Sequence, residues 1–151
     1  MSRSLPLGFA VALALAAPAI AAPFVTVDGT SRYIAMLDDG SLVRSAGGVN
    51  GEALIVMAGG PAKLAKLRFE CTARTMRNVS SRTVASDMSI SAPVASTDPA
   101  SVVENGSLGA SLLERACFGR QVNASGGWSV PTLSEAITAA RAILARSATR
   151  P

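Results

Sequence analysis

Apolar and polar residues alternate with period two through much of the first half of the chain, and recur at helical spacing in the second half. "FVTVDG" (24–29) and "SRYIAMLDDGSLVRSAGGVNGEALIVMAGG" (31–60) read as strands divided by turn signals. Asp39-Gly40 lies between two short strand-like runs. It predicts a tight hairpin turn, whose geometry needs residues that tolerate positive φ. Gly47-Gly48 through Asn50-Gly51 predicts a looser connection. Ala53 to Ala58 is apolar without alternation, the pattern of a central strand covered on both faces, and Gly59-Gly60-Pro61 ends it.

"LRFECTARTMRN" (67–78) predicts the clearest strand. Leu67, Phe69, Cys71, Ala73 and Thr75 project to one side, and Lys66, Arg68, Glu70, Thr72 and Arg74 to the other. Successive strand side chains point to opposite faces, so this is a strand with one packed and one wet face, and Cys71 points inward. "NVSSRTVASDMSISAPV" (78–94) predicts one or two weaker strands that end at Pro93. The period then changes. Leu108, Leu112, Leu113, Ala116 and Cys117 fall on one face of a helix, with Ser107 as N-cap and Gly119 as stop. After a linker, "RQVNASGGWSVP" (120–131), a second helix begins at Thr132 to Glu135, which has capping-box spacing. Leu133, Ile137, Ala140 and Leu144 form its apolar stripe, and Arg141 and Arg146 sit toward the end that the helix dipole makes negative. The tail "SATRP" is expected to fray. The fold class is α+β: an antiparallel sheet of about five or six strands, a helix packed on one face, and a C-terminal helical extension.

The start of the chain reads differently. Residues 1–21 combine Arg3, an apolar run from Leu5 to Ala17, Pro18, and the small-residue exit Ala19-Ile20-Ala21. This is the pattern of a cleaved signal peptide, with Ala22 as the mature N-terminus. A membrane span needs about 20 uninterrupted apolar residues, and Pro6 and Pro18 bracket this run too closely. No cysteine lies in or just after the segment to carry a lipid. No stable membrane anchor is expected after cleavage, and the expected location is the periplasm, the medium or the cell surface. The domain division is then 1–21 signal, 22–120 main domain, and 121–151 linker and helix.

Cleavage removes Arg3, which leaves thirteen cations against ten acids and a net charge of +3. A mildly basic chain permits an acidic protein or polysaccharide partner without requiring one. With few aromatics for base stacking, nucleic acid is not an expected partner.

The two cysteines, one on a strand and one on a helix, both fall on inward faces. Export places them in an oxidising compartment, where such a pair joins. A Cys71–Cys117 bridge would close a loop of about 47 residues, worth about 4 kcal/mol in the chain-entropy account. A redox thiol usually comes as C-x-x-C or in an exposed electropositive setting, and zinc needs three or four ligands. Neither condition is met here.

The chain has no histidine, so the commonest general base is missing and a Ser-His-Asp site is impossible. Lys63 and Lys66 lack the S-x-x-K context. Asp38-Asp39 and Asp28-Gly29 suit turns better than acid/base or calcium work, and "AGGPAK" lacks phosphate-loop spacing. No catalytic residue, cofactor or metal is expected.

Two surfaces are candidates for recognition. The basic set Lys66, Arg68 and Arg74, extended by Arg77 and Arg82, is either a binding face or the solvated face of a strand. Trp128, the sole tryptophan, covers the core or anchors a partner. With Leu133, Ile137 and Leu144 it would form an interface if the second helix self-associates as a homodimer. The competing use of that stripe is packing on its own sheet.

"LRFECTARTMRN", with "YIAMLDDGSLVR" before it and "GSLGASLLERACFG" after it, resembles the bacterial surface-adhesin protein E family over about residues 24 to 120. Members typically carry an acidic residue before the first cysteine, arginines just after it, and a second cysteine ending a short helix. Glu70-Cys71, Arg74, Arg77 and Cys117 occupy those places. The resemblance implies an antiparallel sheet with a disulfide-tethered helix, and a non-catalytic role in binding host matrix proteins at the cell surface. The missing lipid-anchor cysteine and the helix after Cys117 depart from the family pattern. The alternative expectation is a periplasmic structural or interaction protein that assembles through its C-terminal helix.

Overall fold

A computed structural model of the 151-residue chain describes residues 24–120 and 127–148. The signal peptide expected at 1–21, residues 121–126 of the expected linker, and residues 149–151 lie outside the described residues.

Five long strands form an antiparallel meander: β1 (Phe24–Gly29), β2 (Tyr33–Ser45), β3 (Gly48–Met57), β4 (Ala62–Glu70) and β5 (Thr75–Val84). Two-residue strands β6 (Val94–Ala95) and β7 (Ser101–Val102) pair with β5. Helix α1 (Leu108–Phe118) follows, then another two-residue strand, β8 (Ser129–Val130), on β1, and helix α2 (Leu133–Ala148). The spatial order is β6-β5-β4-β3-β2-β1-β8, with β7 also on β5. Among the described residues the sheet thus has eight strands rather than five or six. The surplus consists of short pieces that cap its edges, too brief to leave a periodic trace.

The two helices pack on opposite faces of the sheet. On one, Ala110, Leu112, Leu113 and Ala116 of α1 pack on Ala35, Leu37, Val49, Ala53, Leu67 and Phe69. On the other, Ala136, Ile137, Ala140 and Leu144 of α2 cover Ile34, Met36, Leu54, Val56, Ala62 and Leu64. The expected single helix-covered face is therefore corrected: the C-terminal extension is the second outer layer of the domain. This explains why Ala53 to Val56 lack alternation, since both of their faces are dry. α2 continues through Ser147 and Ala148, the start of the tail expected to fray.

Both helices are capped as expected. The Ser107 hydroxyl accepts from the Ala110 N–H at 3.2 Å, and Gly119 takes the left-handed C-cap conformation (φ +68°) that a side chain would disfavour. At α2, the Glu135 N–H donates to Thr132 Oγ1 at 3.2 Å, while the Thr132 hydroxyl donates to Glu135 Oε2 at 2.8 Å.

Three turn assignments change. Asp39-Gly40 is no hairpin turn. β2 runs through it, and the register shifts between Asp38 and Val43 as Ser41 folds back. The Ser41 hydroxyl donates to the Asp38 carbonyl oxygen and accepts from the Glu52 N–H, both at 2.7 Å. The β2–β3 hairpin instead turns at Ala46-Gly47, and Asn50-Gly51 lies within β3. "LRFECTARTMRN" is also a hairpin and not one strand: β4 ends at Glu70, Cys71 to Arg74 turn, and β5 starts at Thr75. Cys71 therefore sits in a turn.

Candidate functional site

Strand register decides which polar side chains share a surface. On the α2 side, the apolar patch of Leu54, Val56, Ala62 and Leu64 gives way along β3 and β4 to charged and amide residues. Glu52 lies opposite Lys66, and Asn50 lies opposite Arg68. α2 packs on the apolar end, and Lys66 remains exposed. One end of this sheet face is thus covered and the other presents polar groups.

A bulge sets the composition of the polar end. Strict alternation along β5 from Arg82 and Ser80 would bring Asn78 and Met76 to this face and turn Arg77 toward α1. The register slips between Lys66↔Ser80 and Leu67↔Asn78, so that Val79 is the extra residue. Beyond the slip, Met76 packs into the α1-side core while Arg77 stands opposite Arg68 on the polar face.

Four of the five expected basic residues therefore share this face: Lys66, Arg68, Arg77 and Arg82. Arg74 does not. It occupies the β4–β5 turn at φ +51°, donates to Glu114 of α1 at 2.9 Å, and lies 3.4 Å from Asn105 Oδ1. Its role is to hold the helix, because the chain turns before alternation could carry it outward.

Two of the remaining cations are engaged. Arg82 pairs with Glu52, and Arg68 donates from Nε to Glu70 at 2.8 Å and from Nη1 to Ser45 Oγ at 2.9 Å. The side chains of Lys66 and Arg77 have neither a hydrogen bond nor an ion pair with any described residue. Two clefts open here. One of about 430 Å³ is lined by Ser41, Val43, Asn50, Gly51, Glu52 and Lys66. The other, about 360 Å³, is lined by Arg68, Glu70, Arg77 and Ala100. Beside the first, Asp38 has its carboxyl pushed above the usual range, chiefly by burial and further by the nearby Glu52 and Asp39 charges, against lowering bonds from the Gly40 and Ser41 N–H groups.

Asn50 and Ser41 escaped the sequence reading, which had placed the first in a loop and had given the second no role. Asp38-Asp39 and Asp28-Gly29, expected at turns, lie within β2 and β1, and their carboxylates go separate ways. Asp39 reaches away to Arg115 of α1, and Asp28 accepts from the Tyr33 hydroxyl at 3.3 Å. Among the described residues, no three His, Cys, Asp or Glu side chains converge in a way that could hold a metal ion.

Cys71 and Cys117 are joined, with their Cα atoms 5.7 Å apart. The bridge ties the β4–β5 turn to the last turn of α1. Trp128 is half-buried against the α2-side core, and its carbonyl oxygen accepts from the backbone N–H and the hydroxyl of Thr26, each at 3.1 Å. Ile137 and Leu144 are 1% and 3% exposed, and Leu133 packs partly against the same cluster. That stripe is core, so its apolar side chains are not available to a second copy. No helix among the described residues is long and apolar enough to cross a membrane. Compared with protein-family models, with curated proteins and with solved structures, the chain finds no match.

Proposed function

We propose that the chain is an exported, non-catalytic binding protein, adhesin-like in the manner of the surface-adhesin protein E family, and that it recognises its partner through the polar end of the α2-side sheet face. One observation carries the reading. A sheet backed by two helices and a disulfide presents adjoining clefts lined by Asn50, Lys66, Arg68 and Arg77. Recognition benefits from groups held in place before the partner arrives, since less freedom is lost on binding. The Cys71–Cys117 bridge supports export, because such bonds persist in oxidising compartments. The absence of histidine in the sequence supports a role without turnover.

The test uses residues 22–151, oxidised, applied to immobilised host matrix and bacterial envelope fractions. Asn50→Trp, in the middle of the proposed face, should abolish retention. Ser134→Trp, on the outer side of α2, should leave it intact. Equal retention of both variants, or a chain recovered from the cytoplasm with two free thiols, would overturn the reading.

A further inference from the structure

We infer that the Arg68–Arg77 pair and the adjoining cleft around Asn50 and Lys66 form a binding site for an anionic polysaccharide. The inference rests on the binding role proposed above and names its ligand class.

Arg68 and Arg77 are directly opposed across β4 and β5. Like charges in that position destabilise a sheet, and the Val79 bulge is what creates the juxtaposition. Glu70 answers only one of the two guanidinium groups, through Arg68 Nε. Toward the described residues, Arg68 Nη2 and the whole Arg77 head keep their donors unspent. A carboxylate or sulfate seated between them would accept from both planar forks, the geometry in which arginine binds oxyanions best. The cleft they line, about 360 Å³, has room for such a group and part of the ring that bears it.

The neighbouring cleft points to a sugar. Asn50, across the strand pair from Arg68, offers an amide donor and acceptor. Lys66 offers an ammonium group, and Glu52 a carboxylate already oriented by Arg82. Val43, 60% exposed on the same rim, offers an apolar surface to a ring's C–H face. Donors, acceptors and one apolar wall together suit a hydroxyl-bearing ring.

An acidic peptide fits less well. Extended peptides gain most of their affinity by adding a strand to an open sheet edge. β5 already carries β6, β7 and the Ser96 N–H bond to the Val79 carbonyl oxygen, while β1 carries β8. On the face itself, the backbone groups of β3 and β4 are committed to the ladder.

The experiment is calorimetric titration of the oxidised chain, residues 22–151, with an oligogalacturonate, with neutral dextran and with polyglutamate. Arg77→Ala and Asn50→Ala should each weaken the oligogalacturonate by about tenfold, the loss expected when a charge-assisted or amide contact is removed. Arg120→Ala removes the same charge at the end of α1 and should leave affinity within about twofold, since diffuse attraction is screened by salt. Dextran should not bind, and polyglutamate should bind at least about tenfold more weakly, for want of the sugar contacts. Equal losses in Arg77→Ala and Arg120→Ala would reduce the site to net charge and overturn it. Polyglutamate binding as tightly as the oligogalacturonate would transfer the site to acidic peptides. No oligogalacturonate binding, with retention still sensitive to Asn50→Trp, would refute the polysaccharide and leave the binding role standing; losing both would refute both.

Discussion

Arg44 and Cys117 meet at the last turn of α1, where the guanidinium donates from Nη1 to the Cys117 carbonyl oxygen at 3.0 Å. Its Nη2 reaches the Ala116 carbonyl oxygen at 3.1 Å. A helix ends with carbonyl groups that lack intrahelical partners and carry partial negative charge. One β2 side chain answers two of them, and the same Cys117 is bonded through sulfur to Cys71.

This double attachment predicts coupling. Replacing both cysteines by serine should cost about 2–5 kcal/mol, the range for native bridges in small domains. Arg44→Ala should cost about 1 kcal/mol in the oxidised protein, since its site is solvent-exposed. In the serine background Arg44 and the Asp39–Arg115 pair are the polar ties left between β2 and that turn, so removing Arg44 should cost more than it does alone. Urea unfolding of the four proteins measures each value. An unchanged midpoint on losing the bridge would show that the helix end is held by packing alone.

Gly48 predicts a backbone-clearance effect. A Cβ built there would lie 2.2 Å from the carbonyl oxygen of Phe69, a backbone atom that cannot swing aside. Gly48→Ala should destabilise by about 2 kcal/mol or more, because β3 and β4 must part to admit it. Gly59→Ala meets nothing within 4 Å but forces alanine to a φ of +68°, and should cost about 1 kcal/mol. If thermal unfolding ranks the two the other way, the strand approach at Phe69 is looser than described.

The features legible in the sequence were those written in periodicity. Leu67 and Phe69 pointed inward, and Ser107, Gly119 and Thr132 marked helix ends that the structure bears out; Ala53 to Ala58 announced a strand covered on both sides, which holds through Val56 but not for the exposed Met57 and Ala58. Bulges defeated the same method. Asp39-Gly40 carries the chemistry of a turn, yet Ser41 satisfies the Glu52 N–H and lets β2 continue past it. At Val79 one extra residue exchanges the faces of Met76 and Arg77, so Arg77 joins the basic set as expected although strict alternation along β5 would turn it away. Arg74 was misassigned for the related reason that Cys71 opens a turn. The apolar stripe of α2 was visible, but not whether it would meet its own sheet or another chain, because both uses require the same spacing.

Asp38 predicts a pH dependence. Burial raises its carboxyl pKa in the folded state, so ionising it opposes folding. The unfolded chain ionises more readily. The penalty is therefore fully present above the folded pKa and disappears as pH falls below the unfolded value, near the ordinary range for aspartate. Asp38→Asn keeps an acceptor for the Gly40 N–H and removes the charge. At pH 7 it should raise stability by up to about 0.5 kcal/mol, the scale of a surface substitution. At pH 3 the gain should vanish. Thermal melts at both values decide, and a variant less stable than the parent at pH 7 would refute the sign.

Ile137 separates the two uses of the α2 stripe. It is 1% exposed and packs in the cluster with Met36, Leu54, Val56 and Leu64. Ile137→Ala should cost about 2–5 kcal/mol, the lost burial plus the cavity left behind. Sedimentation of the folded variant should not change, because the side chain is buried against its own sheet. Deleting α2 outright should expose those four sheet residues together, and a contiguous apolar patch of that kind drives aggregation rather than clean dissociation to monomers. A parent protein that sediments as a dimer, with an Ile137→Ala variant that is equally stable and monomeric, would return the stripe to an interface and require α2 to leave the sheet.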